Sequence, residues 1–291
     1  HPENERIVAD ALREALDCPV AASHEVLATV REYERTATTV AEAFVTPVVS
    51  AYLDRLAERA RDAGLPGPRV MQGNGGIADA ETVREHAVTT VMSGPAAGVV
   101  GAASVGSDAP GLVTFDMGGT SSDVSLVRDG EIVQTTDADV GGHPVRVPMV
   151  DVHTVGAGGG SIAWVDEGGA LRVGPRSAGA DPGPACYGHG GTEATVTDAN
   201  LLLGYLGEDT VLGEALSLDA NAARDALDRL AEAAGLADAR EAARGIYRVA
   251  NAAMTRAIRT VTVERGHDPR EFELVAFGGA GPMHAAALAA R

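Results

Sequence analysis

The stretch from Gly111 to Val127, GLVTFDMGGTSSDVSLV, constrains the fold of this chain more than any other. An apolar run leads to Asp116, two glycines follow at Gly118–Gly119, and an alternating run passes through Asp123. This pattern predicts a β-hairpin with a tight glycine turn. Its tip offers backbone N–H groups, the hydroxyls of Thr120–Ser122 and two carboxylates, which together can hold a phosphate and its magnesium ion. By itself, the pattern fits an ordinary glycine turn equally well.

A second glycine turn lies near the other end of the chain, between a predicted strand and a predicted helix. It runs from Phe277 to Pro282 and contains Gly278, Gly279 and Gly281. A turn of this kind directs backbone N–H groups and a helix N-terminus toward a ligand. Two such turns separated by a helical region favour nucleotide binding. Neither matches the phosphate loop GxxxxGK[ST], and the chain has no lysine to serve one.

Charge and composition exclude several classes of partner. The 291 residues carry 41 acidic and 23 basic side chains, a formal net charge of -18, so nucleic acid and anionic membranes are poor partners. The sequence has no signal peptide and no apolar run of about 20 residues, and Cys18 and Cys186 form no disulfide framework. We therefore predict a cytoplasmic protein. Because the chain opens at His1 and stops at Arg291 within an apolar run, we expect it to be a piece of a longer one.

Hydrophobic periodicity predicts helices and strands along the rest of the chain. The predicted helices cover residues 1–17, 32–63, 79–86, 93–104, 219–234 and 240–263, with a last one from Met283. Pro47 predicts a kink or a restart in the second of these. The predicted strands cover 69–72, 131–135, 147–155 and 271–277, and a helix-cap pattern, Thr197–Asn200, precedes the apolar run 201–206. Three consecutive strands from Gly111 onward suggest an antiparallel start to a mixed sheet.

The glycine-rich region 140–198 contains a second pair of candidate residues. Asp151 and His153 are two apart, so on the predicted strand 147–155 they face the same side. They could be metal ligands, an acid–base pair or a hydrogen-bonded polar edge. A lone Asp-x-His pair is more often structural, and the adjacent GAGGGS segment raises the weight of a functional role only slightly.

Other polar residues of this region are expected to be structural. Cys186 and His189 have a zinc-like C-x-x-H spacing, but no second pair completes four ligands. A role in packing a loop near the substrate entrance is therefore preferred. Asp181 and Asp198 are expected to be turn and cap residues, and Trp164 a core or interface residue.

Five segments of the chain together resemble the hydantoinase/oxoprolinase family. They read VMSGPAAGVVGA, FDMGGTSSDVSLV, VDVHTVGAGGGSIAWVD, GPACYGHGGTEATVTDANLLLGYL and FGGAGPMHA. The resemblance covers nearly the whole chain from about Arg31 onward. Within it, the hairpin is similar to the second phosphate-binding hairpin of the actin, chaperone and sugar-kinase ATPase superfamily. SGPAAGVVGAA is similar to the connecting helix before that hairpin, and the turn at Phe277 to the adenosine-side turn.

The resemblance implies an α/β fold of the actin-like ATPase type, related to ribonuclease H, with a mixed sheet flanked by helices. Residues 1–30 would be the end of the family's N-terminal domain, and residues 31–291 the hydantoinase A/oxoprolinase domain with a glycine-rich insertion at about 136–205. One departure is large. The family's earlier phosphate hairpin, of the DxGGTxxD kind, and its C-terminal region are not in this sequence. We therefore expect half of a nucleotide site, and turnover by the fragment alone is not assured.

The resemblance also implies a chemistry. Members such as N-methylhydantoinase A and ATP-dependent 5-oxoprolinase phosphorylate the carbonyl oxygen of a cyclic amide, a hydantoin or 5-oxoproline. Water then opens the ring, commonly with help from a B-type partner subunit. Acetone and acetophenone carboxylases contain related nucleotide-binding subunits, so a subunit of an ATP-dependent ketone carboxylase is the second hypothesis. The third, from another class, is a nucleotide-binding or assembly subunit without catalysis.

The same resemblance assigns site residues, with ATP and Mg²⁺ as cofactors. Asp116, together with Asp123, would hold magnesium through water or orient the attacking group. The residues that would contact the phosphates are Gly118, Gly119, Thr120 and Ser121, and those on the adenosine side are Gly278, Gly279 and Gly281. Asp116 is thus a candidate metal ligand by resemblance, whereas Asp151 and His153 are candidate metal ligands through their own spacing alone.

Overall fold

The computed structural model describes residues 2–105, 109–207, 211–212 and 216–291. Its helices are α1 (Pro2–Ala15), α2 (Ser23–Val26), α3 (Glu32–Asp62), α4 (Ala80–Glu85), α5 (Ser93–Val105), α6 (Val196–Leu203), α7 (Ala220–Ala234), α8 (Ala239–Val261) and α9 (Gly281–Ala289). Its strands are β1 (Arg69–Met71), β2 (Ile77–Asp79), β3 (Gly111–Met117), β4 (Ser122–Arg128), β5 (Glu131–Ile132), β6 (Gln134–Thr135), β7 (Ala138–Val140), β8 (His143–Val145), β9 (Met149–Val150), β10 (His153–Val155), β11 (Ser161–Val165), β12 (Leu171–Ser177), β13 (Val211–Leu212), β14 (Leu216–Ser217) and β15 (Glu273–Phe277). Across these described ranges, no helix is both long and apolar enough to cross a membrane.

The chain forms two compact units. The first comprises His1–Gly101 and Ile132–Asp151, and the second Ala102–Glu131 and Val152–Arg291. The segment 136–205, predicted as one insertion, is therefore shared between the two units. The domain boundaries 1–30 and 31–291 stay predictions.

The first unit is built around the long helix α3. Glu42, near the middle of this helix, is 3% exposed, and its carboxylate accepts hydrogen bonds from the N–H groups of Ala87 (2.9 Å) and Val88 (2.7 Å). A buried carboxylate needs such partners, so these bonds tie α3 to the turn Ala87–Thr90. The helix does not restart at Pro47, which lies inside one continuous helix. The restart prediction is wrong because packing of buried residues on both sides of the proline, such as Glu42 and Leu53, outweighs its cost.

Two strands predicted from alternating patterns are interrupted in the structure. The predicted strand 147–155 divides into β9, which pairs with β6 in the first unit, and β10, which pairs with β4 in the second. The predicted strand 131–135 likewise divides into β5 and β6. The reason is topological: the chain passes from one unit to the other within both segments. An alternating pattern reports local exposure and cannot report a change of partner strand.

The second unit holds the central mixed sheet, whose main path has the strand order β10–β4–β3–β15. Strands β3 and β4 are antiparallel, which confirms the hairpin, and β10 is antiparallel to β4. Strand β15 is parallel to β3, with Phe277 beside Asp116. Residues 111–115 of β3 are all buried, as expected for a strand covered on both faces. Because β3 and β15 are parallel neighbours, the glycine turns that follow them lie at the same edge of the sheet.

Helices cover this sheet, and α6 among them has a capping box at its start. Helix α8 contacts α6, α7, β4, β10 and β12, and α9 contacts β15 and α8. Helix α6 begins after Thr195, whose side chain forms a capping box with Asp198, so the predicted cap Thr197–Asn200 lies inside the helix. Trp164 is 37% exposed on β11 and donates from its indole N–H to the Gly174 carbonyl (2.8 Å), so it is not a core residue.

Candidate functional site

The tip of the β3–β4 hairpin is an open backbone turn. The Gly118 N–H donates to the Ser121 carbonyl (3.1 Å) and closes the turn, while Gly118, Gly119 and Thr120 are exposed. A Cβ atom built on Gly119 would meet nothing within 4 Å. Within the part of the chain that the structure describes, the N–H groups of Gly119 and Thr120 donate to no protein acceptor. This tip can therefore accept an anion.

The second glycine turn lies against the first. Gly278 has a φ of +80°, and a Cβ atom there would overlap the Asp116 carboxylate and come within 2.6 Å of the Met117 carbonyl oxygen. The Ala280 N–H donates to that same carbonyl oxygen (2.9 Å). Gly279, in contrast, faces open space, and Gly281 begins α9. The two turns predicted to bind nucleotide are thus brought together at one edge of the sheet.

A third glycine segment, Gly156–Gly160, supports the hairpin tip from behind. The N–H groups of Gly159 and Gly160 donate to the carbonyl oxygens of Gly118 (2.9 Å) and Gly119 (2.6 Å). A Cβ atom on Gly158 would lie 2.6 Å from the carbonyl carbon of Thr120, so only glycine fits there. Sequence reasoning did not assign these residues to the site. The GAGGGS run was the available signal, but it does not say which backbone it approaches.

Asp116 and Asp123 face each other across the hairpin ladder at the start of this tip. Burial, and secondarily the charge of Asp123, raise the pKa of the half-buried Asp116 carboxyl. Asp123 accepts a hydrogen bond from the Thr154 hydroxyl (2.6 Å). Within the described ranges, neither carboxylate forms an ion pair with an arginine or histidine. Their repulsion is the kind that a bound cation relieves.

Asp151 and His153 do not share a strand face. Asp151 lies outside any strand in the first unit, where its N–H donates to the Val133 carbonyl (2.9 Å), whereas His153 starts β10 in the second. The argument that placed them on one face is therefore wrong, and a metal role for them stays a prediction. Among the residues described, no group of three or more His, Cys, Asp and Glu side chains is arranged to hold a metal ion. Magnesium beside a nucleotide usually keeps several water ligands and needs no such group.

The C-x-x-H pair is not a zinc half-site. Cys186 is fully buried against Leu201 and Ala223, and burial together with nearby Asp198 raises the pKa of its thiol. His189 is exposed. The packing role predicted for Cys186 is confirmed, and its position near a substrate entrance stays a prediction.

Asp198 and Asp181 have the structural roles expected of them. Asp198 is buried and accepts from the backbone N–H groups of Cys186 (2.8 Å) and Thr195 (2.9 Å), which ties the loop before α6 to the start of that helix. Asp181 lies in a turn. Neither residue is needed to explain the chemistry of the glycine turns.

Replacing Gly278 with alanine is expected to lower the free energy of unfolding by roughly 1–3 kcal/mol, because alanine is strained at positive φ and overlaps Asp116 and Met117. Gly279→Ala is the matched control in the same turn, since a Cβ atom there meets nothing. Urea denaturation of both variants and the wild type measures the difference. Equal effects of the two substitutions would contradict the close packing described for Gly278.

The strand order β10–β4–β3–β15, with a glycine turn after each of the parallel neighbours β3 and β15, defines an actin-like ATPase fold. The chain belongs to the hydantoinase/oxoprolinase family, whose model matches residues 35–291. The resemblance found in the sequence is thus confirmed, as is the α/β fold that it implied.

Two similar proteins bear on function, a caprolactamase and an acetone carboxylase. The α subunit of caprolactamase from Pseudomonas jessenii is 46% identical over an alignment of 296 residues that covers 99% of this chain and 42% of that subunit. The crystal structure of ATP-dependent caprolactamase from that organism has a TM-score of 0.85 at 45% identity and covers 100% of this chain and 42% of that one. Nucleotide-free acetone carboxylase has a TM-score of 0.81 at 31% identity, covering 99% and 42%. The chain therefore spans less than half the length of these relatives.

Proposed function

We propose that the complete protein uses ATP to open a cyclic amide by hydrolysis. The observation that carries this proposal is the meeting of two glycine turns and two facing carboxylates, Asp116 and Asp123, at one edge of the sheet. The similarity to a caprolactamase subunit, 46% identical over nearly the whole chain, supports a lactam as the substrate class. Hydantoins and 5-oxoproline are the alternative cyclic amide substrates that the sequence resemblance implies.

The open backbone of both turns fits a nucleotide. Glycine leaves both turns without side chains, and the space beside Gly119 and Gly279 is empty, since a Cβ atom on either would meet nothing within 4 Å. In a chain of net charge -18, a polyanionic ligand needs backbone N–H groups and a divalent cation to offset repulsion. The exposed tip Gly118–Ser121 supplies the former, and the carboxylate pair could hold Mg²⁺ through water. The turn containing Gly278, Gly279 and Gly281 would take the adenosine side.

When bound, ATP would supply a phosphoryl group to the amide carbonyl oxygen with release of ADP, which would make the carbonyl carbon electrophilic and turn that oxygen into part of a phosphate leaving group. The chain's own residues then mainly position the reacting groups and neutralise their charge. The N–H groups of Gly119 and Thr120 would hold phosphate oxygens. Asp116, with its raised pKa, would orient the attacking group, and Asp123 is kept in place by the Thr154 hydroxyl.

A ketone carboxylase subunit is the second candidate, and the similarity to acetone carboxylase supports it. Such an enzyme would share the activating step and differ in what captures the activated carbonyl. A nucleotide-binding subunit without catalysis is the third. We also propose a cytoplasmic location and a B-type partner subunit, which the naming of the relative as an α subunit supports.

Substrate-stimulated ATP hydrolysis by the complete protein, with its partner subunit and Mg²⁺, separates these candidates. We expect ε-caprolactam, 5-oxoproline or a hydantoin to raise the ATPase rate and to yield the ring-opened acid. Stimulation only by acetone or acetophenone with bicarbonate would favour the carboxylase. Nucleotide binding without stimulation by any of these compounds would favour the non-catalytic subunit.

A further inference from the structure

Helix α6 reaches both glycine turns through two buried side chains. Thr197 and Asn200 are three residues apart, so they lie on the same side of the helix. Thr197 is 6% exposed and Asn200 is 0% exposed. Neither residue is assigned to the nucleotide chemistry, yet each is connected by hydrogen bonds to a residue that adjoins a different glycine turn of the site.

Thr197 reaches the first turn through Gly159. Both the backbone N–H and the hydroxyl of Thr197 donate to the Gly159 carbonyl oxygen, at 2.7 and 2.8 Å. The Gly159 N–H in turn donates to the Gly118 carbonyl oxygen at the hairpin tip. A Cβ atom on Gly159 would lie 2.8 Å from the Thr197 hydroxyl oxygen and 3.7 Å from both Ala280 Cβ and the Gly118 carbonyl oxygen. Gly159 therefore lies between α6 and both glycine turns.

Asn200 reaches the second turn through His284, in the first half of α9. Asn251 donates from its side-chain amide to the Tyr247 carbonyl (2.8 Å), which leaves its Oδ1 facing His284 Nδ1 at 3.3 Å. Nδ1 therefore carries the ring proton, and His284 Nε2 accepts from the Asn200 amide at 3.2 Å. Among the described residues, Asn200 Oδ1 has no hydrogen-bond partner, so the His284 contact is the one its side chain makes. Tyr247 adds a bond from its hydroxyl to the Met283 carbonyl (3.0 Å).

We infer that α6 is a brace that sets the separation of the two glycine turns, with Thr197 and Asn200 as positioning residues. The physical reason is that turns made of glycine carry no side chains of their own to hold them in place. Their geometry must come from neighbouring elements. Helix α6 is suited to this, because the Thr195–Asp198 capping box fixes its first turn and Gly204, in the left-handed conformation, ends it. The inference rests on the proposed function, since nucleotide is what would span both turns.

The test compares Thr197→Val and Asn200→Leu with the wild type in the complete protein. Thr262→Val is the matched control, because Thr262 is also buried but its hydroxyl donates to the Ile258 carbonyl of α8, the helix that ends just before it (2.7 Å). Isothermal titration with Mg²⁺ and a non-hydrolysable ATP analogue gives the nucleotide Kd. Hydrogen exchange at the Gly159 and Gly160 amides, without nucleotide, reports the support of the hairpin tip directly.

We expect each brace variant to raise Kd by about fivefold or more, the effect of one buried hydrogen bond, and Thr197→Val to speed exchange at Gly159 and Gly160. Thr197→Ser, which keeps the hydroxyl, should restore both values. The same changes in the Thr262→Val control, or none in Thr197→Val, would overturn the brace. If the wild type binds no nucleotide, the proposed function fails, and unchanged exchange in Thr197→Val would still overturn the brace by itself.

Discussion

An Asp116→Asn variant of the complete protein is expected to lose about a thousandfold or more in the kcat of ATP hydrolysis, because the site would lose the charge that orients the attacking group and its cation. The fold should tolerate the change. Burial raises the pKa of Asp116, so folding disfavours its charged form relative to the unfolded chain, and a neutral amide of the same shape relieves this cost. Steady-state ATPase assays and urea denaturation measure the two effects separately.

Asp129→Asn provides the control at the opposite end of the same hairpin. Asp129 is exposed and has a φ of 51°, a conformation that asparagine also adopts readily. It should keep wild-type turnover and stability. Wild-type turnover in Asp116→Asn, with the Asp129 control also unchanged, would remove Asp116 from the catalytic machinery.

The stability of the protein is expected to fall between pH 6.5 and pH 4 because of His284. This side chain is fully buried, and loss of water lowers its pKa from 6.5 to about 4. In the unfolded chain the same imidazole gains its proton near pH 6.5, so over this window the unfolded state binds more protons. The contribution of the neutral His284 ring to the free energy of unfolding is fully present above pH 6.5 and is lost as the pH falls to about 4. The full loss corresponds to about 3 kcal/mol, at about 1.4 kcal/mol for each pH unit.

Urea denaturation at several pH values, for the wild type and His284→Gln, isolates this contribution. The glutamine variant should lose stability less steeply on acidification, since other groups titrate equally in both proteins. His189→Gln, at an exposed histidine, should retain the wild-type slope. Parallel slopes for the wild type and His284→Gln would show that His284 is not held neutral.

Local residue patterns predicted many of the helices and strands. Hydrophobic periodicity and the positions of glycine and proline predicted several elements to within a few residues: the β3–β4 hairpin, α3, α7, α8 and β15. Each of these depends on neighbours that are close in sequence. The resemblance to a family added the fold class. The breaks after β5 and β9 were missed because they occur where the chain passes between the two units.

The candidate site likewise has a part that the sequence predicted and a part that it did not. Asp116, Asp123 and the glycines of both turns could be named from the sequence, because anion-binding turns have a recognisable local composition. Their use as a nucleotide site stays a prediction. The support from Gly158–Gly160 could not be predicted, since a glycine run shows that a close approach is possible and not which backbone makes it.

The sequence by itself determined the hairpin with its open tip, the acidic charge that demands backbone N–H groups for any anion, and the family. Only the tertiary structure decided that the turn after β15 lies beside Asp116, because parallel pairing of β3 and β15 joins residues about 160 positions apart. It also decided that Asp151 and His153 lie in different units, and that α6 bonds to Gly159 and His284, which adjoin the two turns. These are long-range contacts, and no local pattern of residues encodes which distant partner each surface meets.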